Sequence, residues 1–203
     1  MSCLEVTKNI ESSITINDKY VARGVLNAEL KNLFKQAAAQ YNIDWKWVAA
    51  LSFCESSWNS SAKNSLGYSY EGLCGFSQST ITSTLGPGHS SKNARDQAFA
   101  AAKNMSLNFT QGKKLGFDDE SAYLYAGICH NAGVGGAKWA YNNANPKTIV
   151  GMQQSLLTCD GGYGQHGNKV GWFKVSSQEA NRQSKEKANY PIKMKSAYSG
   201  IKD

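Results

Sequence analysis

One carboxylate in this chain has surroundings suited to proton transfer. The stretch from Asp44 to Trp58 reads Asp-Trp-Lys-Trp-Val-Ala-Ala-Leu-Ser-Phe-Cys-Glu-Ser-Ser-Trp, with no acid between Asp44 and Glu55. Trp47, Val48, Leu51 and Cys54, with Ile43 just outside, recur at the three-and-four spacing of a helix face turned toward a core, and Asp44 stands where an N-cap belongs. Glu55 therefore arrives at the end of an apolar helix, among Cys54, two serines and Trp58. Burial there disfavours the charged form and raises a glutamate's pKa toward working pH, the condition for a general acid. Taken alone, the stretch also reads as a solvated glutamate at a helix end.

Two further pieces carry groups suited to a cleft. Gly72-Leu-Cys-Gly75-Phe-Ser-Gln78 is a loop whose glycines let backbone approach a ligand or another segment closely, and His130-Asn131-Ala132-Gly133 follows a helix. By themselves, Gln78 and Asn131 read as capping and turn residues. In this order, with Glu55-Ser-Ser-Trp-Asn59, the three pieces resemble the lytic transglycosylase family, the soluble-type (SLT) domain with a goose-type-lysozyme-like fold. Members of that family show Glu-Ser-x-aromatic-Asn, then Gly-x-x-Gly-apolar-Met-Gln, then Ala-Tyr-Asn-Ala-Gly. The resemblance covers about Asn27 to Trp139.

The resemblance implies a peptidoglycan-cleaving enzyme with Glu55 as catalytic acid. Ser56 would help hold the carboxylate or the bound sugar, Gly75 and Phe76 would shape the cleft floor, and Gln78 would hydrogen-bond substrate. His130, Asn131, Ala132 and Gly133 would form the opposite wall. A late tyrosine supporting the glutamate is expected at Tyr190, with Tyr163 as its rival. No metal or cofactor is implied, and the partner is the glycan strand of peptidoglycan. Two departures stand out: Ser77 replaces the family's methionine and His130 its tyrosine. Neither is expected to touch the acid, so they bear on subsite preference.

One carboxylate suffices for a transglycosylase, in which the glutamate protonates the glycosidic oxygen and then takes the proton of the muramic acid C6 hydroxyl to give a 1,6-anhydro end. A muramidase using water would need a second acid. Glu71, Asp118 and Asp119 are the candidates, none with a motif. A catalytically inactive, lysozyme-like wall-binding component is the non-enzymatic alternative. A cysteine nucleophile is disfavoured: Cys129 and His130 are adjacent on a helix and point apart, and Cys54 lacks a flanking signature.

The elements that must position these groups follow from periodicity. Leu30, Leu33, Phe34, Ala37, Ala38 and Tyr41 form a helical stripe closed at Asn42, antiparallel to the Asp44 helix. Further helices are expected from about Ser77 to Leu85, Asn93 to Phe109, Ser121 to Cys129, Lys138 to Asn143 and Thr148 to Leu157. The second of these carries Phe99, Ala102 and either Met105 or Leu107 inward, and a basic break over Gly112 to Gly116 follows it. The expected fold class is mainly α, a single lysozyme-like domain over 27–160. A polar, extended or hairpin-like N-terminal arm (1–26) precedes it, and a glycine-rich loop with a basic C-terminal extension (161–203) follows, packed on the domain with its lysines solvated.

Composition sets the outer bounds. With 203 residues, 41% hydrophobic, 18% charged, 19 glycines and 3 prolines, the chain is globular and rich in turns. The net charge of +7 favours an acidic polymer. No nucleic-acid-binding module is recognisable, so nucleic acid is not an expected partner. Five cysteines (Cys3, Cys54, Cys74, Cys129, Cys159) without a Cys-x-x-Cys pair argue against a zinc site and a complete disulfide framework. With no apolar run long enough to span a bilayer and no signal-like start, the expectation is a cytoplasmic product that reaches the wall by release, virion delivery or export, with docking to a phage tail or secretion assembly as one route.

Overall fold

The computed structural model describes residues 14–63, 71–158 and 177–203. Among these the protein is mainly helical: α1 (Ala28–Gln40), α2 (Trp45–Ser56), α3 (Gln78–Leu85), α4 (Ala94–Lys114), α5 (Asp119–Asn143), α6 (Ile149–Thr158) and α7 (Ser177–Gly200). The described residues contain no strand; only isolated bridges join Glu71 to Lys63 and to Phe76. No described helix is long and apolar enough to cross a membrane.

Local chemistry accounts for the helix starts. The side chains of Asn27, Asp44, Ser77, Asn93 and Asp118 each accept a backbone N–H from the first turn of the helix they precede, satisfying donors that otherwise lack an intrahelical partner. α2 packs on α1, α4 and α7, while α7 also packs on α5 and α6. Phe34, Val48, Leu51, Leu124, Ile128, Met152, Leu156 and Met194 are fully or almost fully buried between these helices. Each such side chain contributes about 1.5–3 kcal/mol through burial.

Three expectations are corrected. α4 continues through Gly112 to Lys114, so both lysines of the expected break lie in its last turn and the break is confined to Leu115 and Gly116; on its inward face Met105 is 2% exposed, whereas Leu107 is 63% exposed. The two helices expected at 121–129 and 138–143 are joined in α5 across a kink at Gly133, whose φ of 74° and ψ of 157° lie outside helical values. The lysines of the basic C-terminal segment are not all solvated: Lys187, Lys193 and Lys195 are half-buried on a helix packed against α2, α5 and α6. In α7 Ser184, Ala188, Tyr190, Met194 and Ala197 are buried at helical spacing, while Lys185 stays exposed.

Over 14–26 the arm expected to be extended or hairpin-like contains one 3-10 turn (Asp18–Tyr20), with extended backbone at Asn17 and Val21 on either side of it. Ile14 and Ala22 are buried, and Asn17 N–H donates to Ser196 Oγ at 2.8 Å, so this part of the arm lies along α7. Residues 1–13 and the glycine-rich loop lie outside the described residues.

Candidate active site

Glu55 occupies the last turn of α2, and α2 is fixed at both ends. At its start, Asp44 N–H donates to Tyr123 Oη (2.8 Å) and Tyr198 Oη donates to Asp44 Oδ2 (2.8 Å). Trp47 is stacked between the same two rings, with centroids 5.2 Å and 4.3 Å away. At its end, Ser52 Oγ and Ser56 Oγ both donate to Leu73 O, at 3.0 Å and 2.8 Å. The serines thus tie the helix to the glycine loop. Ser56 was expected to hold the carboxylate or the sugar; its hydroxyl is instead spent on this backbone carbonyl, with Ser52 O at 3.1 Å as its other acceptor.

The loop is held from behind by a residue that the motif reading missed. Gln97 on α4 has no exposed surface. Its Oε1 accepts from Cys74 N and Phe76 N, both at 3.2 Å, and its Nε2 reaches Glu71 O (2.9 Å), Phe76 O (3.2 Å) and Ser91 O (2.7 Å). A buried amide with both ends engaged replaces the ladder bonds that irregular backbone lacks. Its signal in the sequence is a glutamine among the inward alanines of α4.

Gly75, at φ 68°, sits against the acid: a Cβ there would lie 2.8 Å from Glu55 Oε2. Gly75→Ala therefore combines a left-handed backbone with a collision. A loss of about 1–2 kcal/mol is expected, or a fall in Tm of roughly 2–8 °C, measurable by thermal unfolding.

The carboxylate is held asymmetrically. Tyr190 Oη donates to Glu55 Oε1 at 2.6 Å, and His130 Nε2 lies 3.5 Å from the same oxygen. Among the described residues Oε2 has no hydrogen-bond donor, and the side chain is 22% exposed. His130 thus touches the acid, contrary to expectation, because the Phe76 and Tyr190 rings flank it, edge-on at 5.0 Å and near-parallel at 6.2 Å.

The direction of the Glu55 pKa is also the reverse of the sequence expectation. Burial pushes it up, but the His130 hydrogen bond and charge, the Tyr190 hydroxyl and the Lys193 charge together hold it below its ordinary value of 4.5. Burial and the neighbouring carboxylate in turn push Tyr190 well up, so its hydroxyl remains a donor.

The residues expected to form the opposite wall lie in the kinked part of α5. Ala132 is buried, and Gly133 turns the backbone. Lys187 Nζ donates to Asn131 O at 3.3 Å. Asn131 Oδ1 is buried without a hydrogen-bond partner among the described residues.

Gln78 sits apart from this cluster in its bonding. Its side chain accepts from Ser91 N (2.9 Å) and donates to His89 O (2.8 Å) and Thr82 Oγ1 (3.1 Å), which braces the first turn of α3. Both hydrogens of its exposed amide are thus engaged, and only Oε1, with one bond accepted, could take a further donor.

The other acids are engaged elsewhere. Glu71 Oε1 accepts from Ser91 Oγ, Asp118 caps α5, and Asp119 pairs with Lys113. At 1.5 Å per helical residue, Asp119 is about 16 Å from His130.

Cys54, Cys74 and Cys129 are free thiols. Burial, and for Cys54 also the Glu55 charge, push Cys54 and Cys129 up to about 12, which removes the nucleophilic thiolate at neutral pH. Among the described residues no group of three or more His, Cys, Asp or Glu is arranged to hold a metal. Trp58 folds back on α2, its Nε1 donating to Ala49 O at 2.8 Å. Tyr163, Cys3, Cys159, Tyr68 and Tyr70 lie outside the described residues.

No family model matches this sequence, and none of the curated proteins is significantly similar to it.

Proposed function

We propose that this protein is a lysozyme-like (SLT/goose-type) lytic transglycosylase that cleaves the MurNAc-GlcNAc β-1,4 bond of peptidoglycan. One observation carries the reading: three sequence pieces far apart in the chain meet around a single carboxylate. Gly75 lies on Oε2, His130 faces Oε1, and Tyr190 donates to Oε1.

The chemistry needs no second acid. Glycan filling the cleft would strip the remaining water from Glu55 and favour its neutral form. Protonated on Oε2, the oxygen without a donor, Glu55 gives that proton to the glycosidic oxygen, and the C1–O bond breaks with its electron pair leaving on the GlcNAc oxygen. The carboxylate then takes the proton of the C6 hydroxyl, whose oxygen closes onto C1. No water is consumed, and the acid is regenerated. Tyr190 keeps Oε1 an acceptor through both steps. Hydrolysis would need a carboxylate positioned for water, and Glu71, Asp118 and Asp119 are committed to other partners.

Digestion of purified peptidoglycan followed by mass analysis of the fragments tests this reading. Muropeptides lighter by one water than their reducing-end counterparts are expected. Reducing ends would instead mean a muramidase, and no release would favour a structural role in a tail or secretion assembly.

A further inference from the structure

We propose that His130 is a positioning residue that sets the pH range in which Glu55 carries its proton and so confines the enzyme to acidic conditions. This rests on the reading of Glu55 as the general acid.

The geometry leaves His130 little freedom. Its side chain is 11% exposed, with the Phe76 ring edge-on to one side and the Tyr190 ring near-parallel to it, and Nε2 faces Glu55 Oε1 at 3.5 Å. The Tyr190 hydroxyl donates to Oε1 and His130 Nε2 faces the same oxygen, so the proton for substrate belongs on Oε2, beside Gly75. Tyr190 donates without charge. A protonated imidazole brings a positive charge to 3.5 Å from Oε1, and it holds the carboxylate ionised until the pH falls further.

Among the described residues no titratable side chain around Glu55 offsets this. Lys193, from α7, acts in the same direction. Cys54, on α2, is pushed up to about 12, and Cys74, in the loop, and Tyr190, on α7, are held neutral by burial. Lys187 is turned to the Asn131 carbonyl, and Cys129, on the same helix as His130, is also a neutral thiol.

The sign follows directly. The working acid is the protonated Glu55, so activity falls as pH rises through the Glu55 midpoint, and the positive charge of His130 places that fall at lower pH. His130→Gln keeps a donor amide and removes the charge. The alkaline limb of muropeptide release should then move to higher pH, with a gain on the order of tenfold over wild type on that limb, the effect of one opposite charge in a partly buried pair.

A second readout needs no substrate: carbon-13 NMR titration of the Glu55 carboxyl, assigned by its loss in Glu55→Gln. A higher titration midpoint in His130→Gln than in wild type supports the proposal, and an unchanged midpoint overturns it. Should His130→Gln fail to fold, His130→Tyr retains a ring between Phe76 and Tyr190 without the charge, and the same criterion applies. If no variant releases muropeptides while the NMR midpoint still moves, the transglycosylase reading fails and the Glu55–His130 coupling stands.

Discussion

Glu55→Gln should lower muropeptide release by about a thousandfold while leaving the fold intact, because one side chain supplies both proton transfers of the proposed reaction. The glutamine oxygen can still accept from Tyr190 Oη, and the serine ties of α2 to Leu73 O are untouched. The loss should therefore appear in turnover and not in binding to insoluble peptidoglycan, which a pull-down alongside the digestion would measure.

The same substitution carries a pH signature in stability. The Glu55 pKa is held below its unfolded value of 4.5, so ionisation of Glu55 stabilises the folded wild type above that value. This contribution is lost as pH falls through the lower, folded value. Glu55→Gln lacks it, so the stability gap between the two proteins should narrow in acid. A gap independent of pH, in thermal unfolding scanned from neutral to acidic buffers, would contradict the direction assigned to this carboxyl.

Gln97→Leu should be the most destabilising single change near the site. It removes five hydrogen-bond contacts, from Cys74 N, Phe76 N, Glu71 O, Phe76 O and Ser91 O, in a place with no exposed surface on the side chain. Buried groups left unpaired cost about 1–3 kcal/mol each, partly recovered by local relaxation, so a total of about 3–5 kcal/mol is expected. Denaturant unfolding would measure it. Gln97→Glu should also destabilise, because its second carboxyl oxygen would face the acceptors Glu71 O, Phe76 O and Ser91 O in a buried place, and wild-type stability in either variant would mean that the amide does not organise the loop.

The parts of the site legible in the sequence are those whose reason is local. Asp44 followed by apolar residues specifies a helix start, which the structure has, although burial is not confined to one face: Trp47 to Ser52 are six consecutive buried residues. Glycine at 75 has a local sign too, because no other residue takes its backbone angles against a carboxylate without strain. What could not be read depends on partners distant in sequence. Burial of Glu55 was foreseeable from its own helix, but the groups that reverse its effect come from residues 130, 190 and 193 on other helices. α7 was hidden for another reason. Its buried positions are mostly small or polar-tipped, Ser184, Ala188, Tyr190, Ala197, and Pro191 sits inside it. A strong apolar period is absent, and a proline ordinarily argues against a helix interior. Gln97 was passed over because its partners are all backbone atoms, which a sequence does not display.

The kink at Gly133 has an electrostatic consequence. It ends the first half of α5 one residue after Ala132, beside His130, while α2 ends at Ser56, beside Glu55. The C-terminal end of α2 and the kinked end of the first half of α5 thus lie beside Glu55 and His130, and each brings the partial negative charge of its last-turn carbonyls. Lys187 offsets part of this at the Asn131 carbonyl. The remainder is a fixed negative potential, in place before substrate arrives and with nothing to reorganise during reaction. A sugar ring acquiring oxocarbenium character between those helix ends would find its positive charge already matched by backbone dipoles, without any additional acidic side chain.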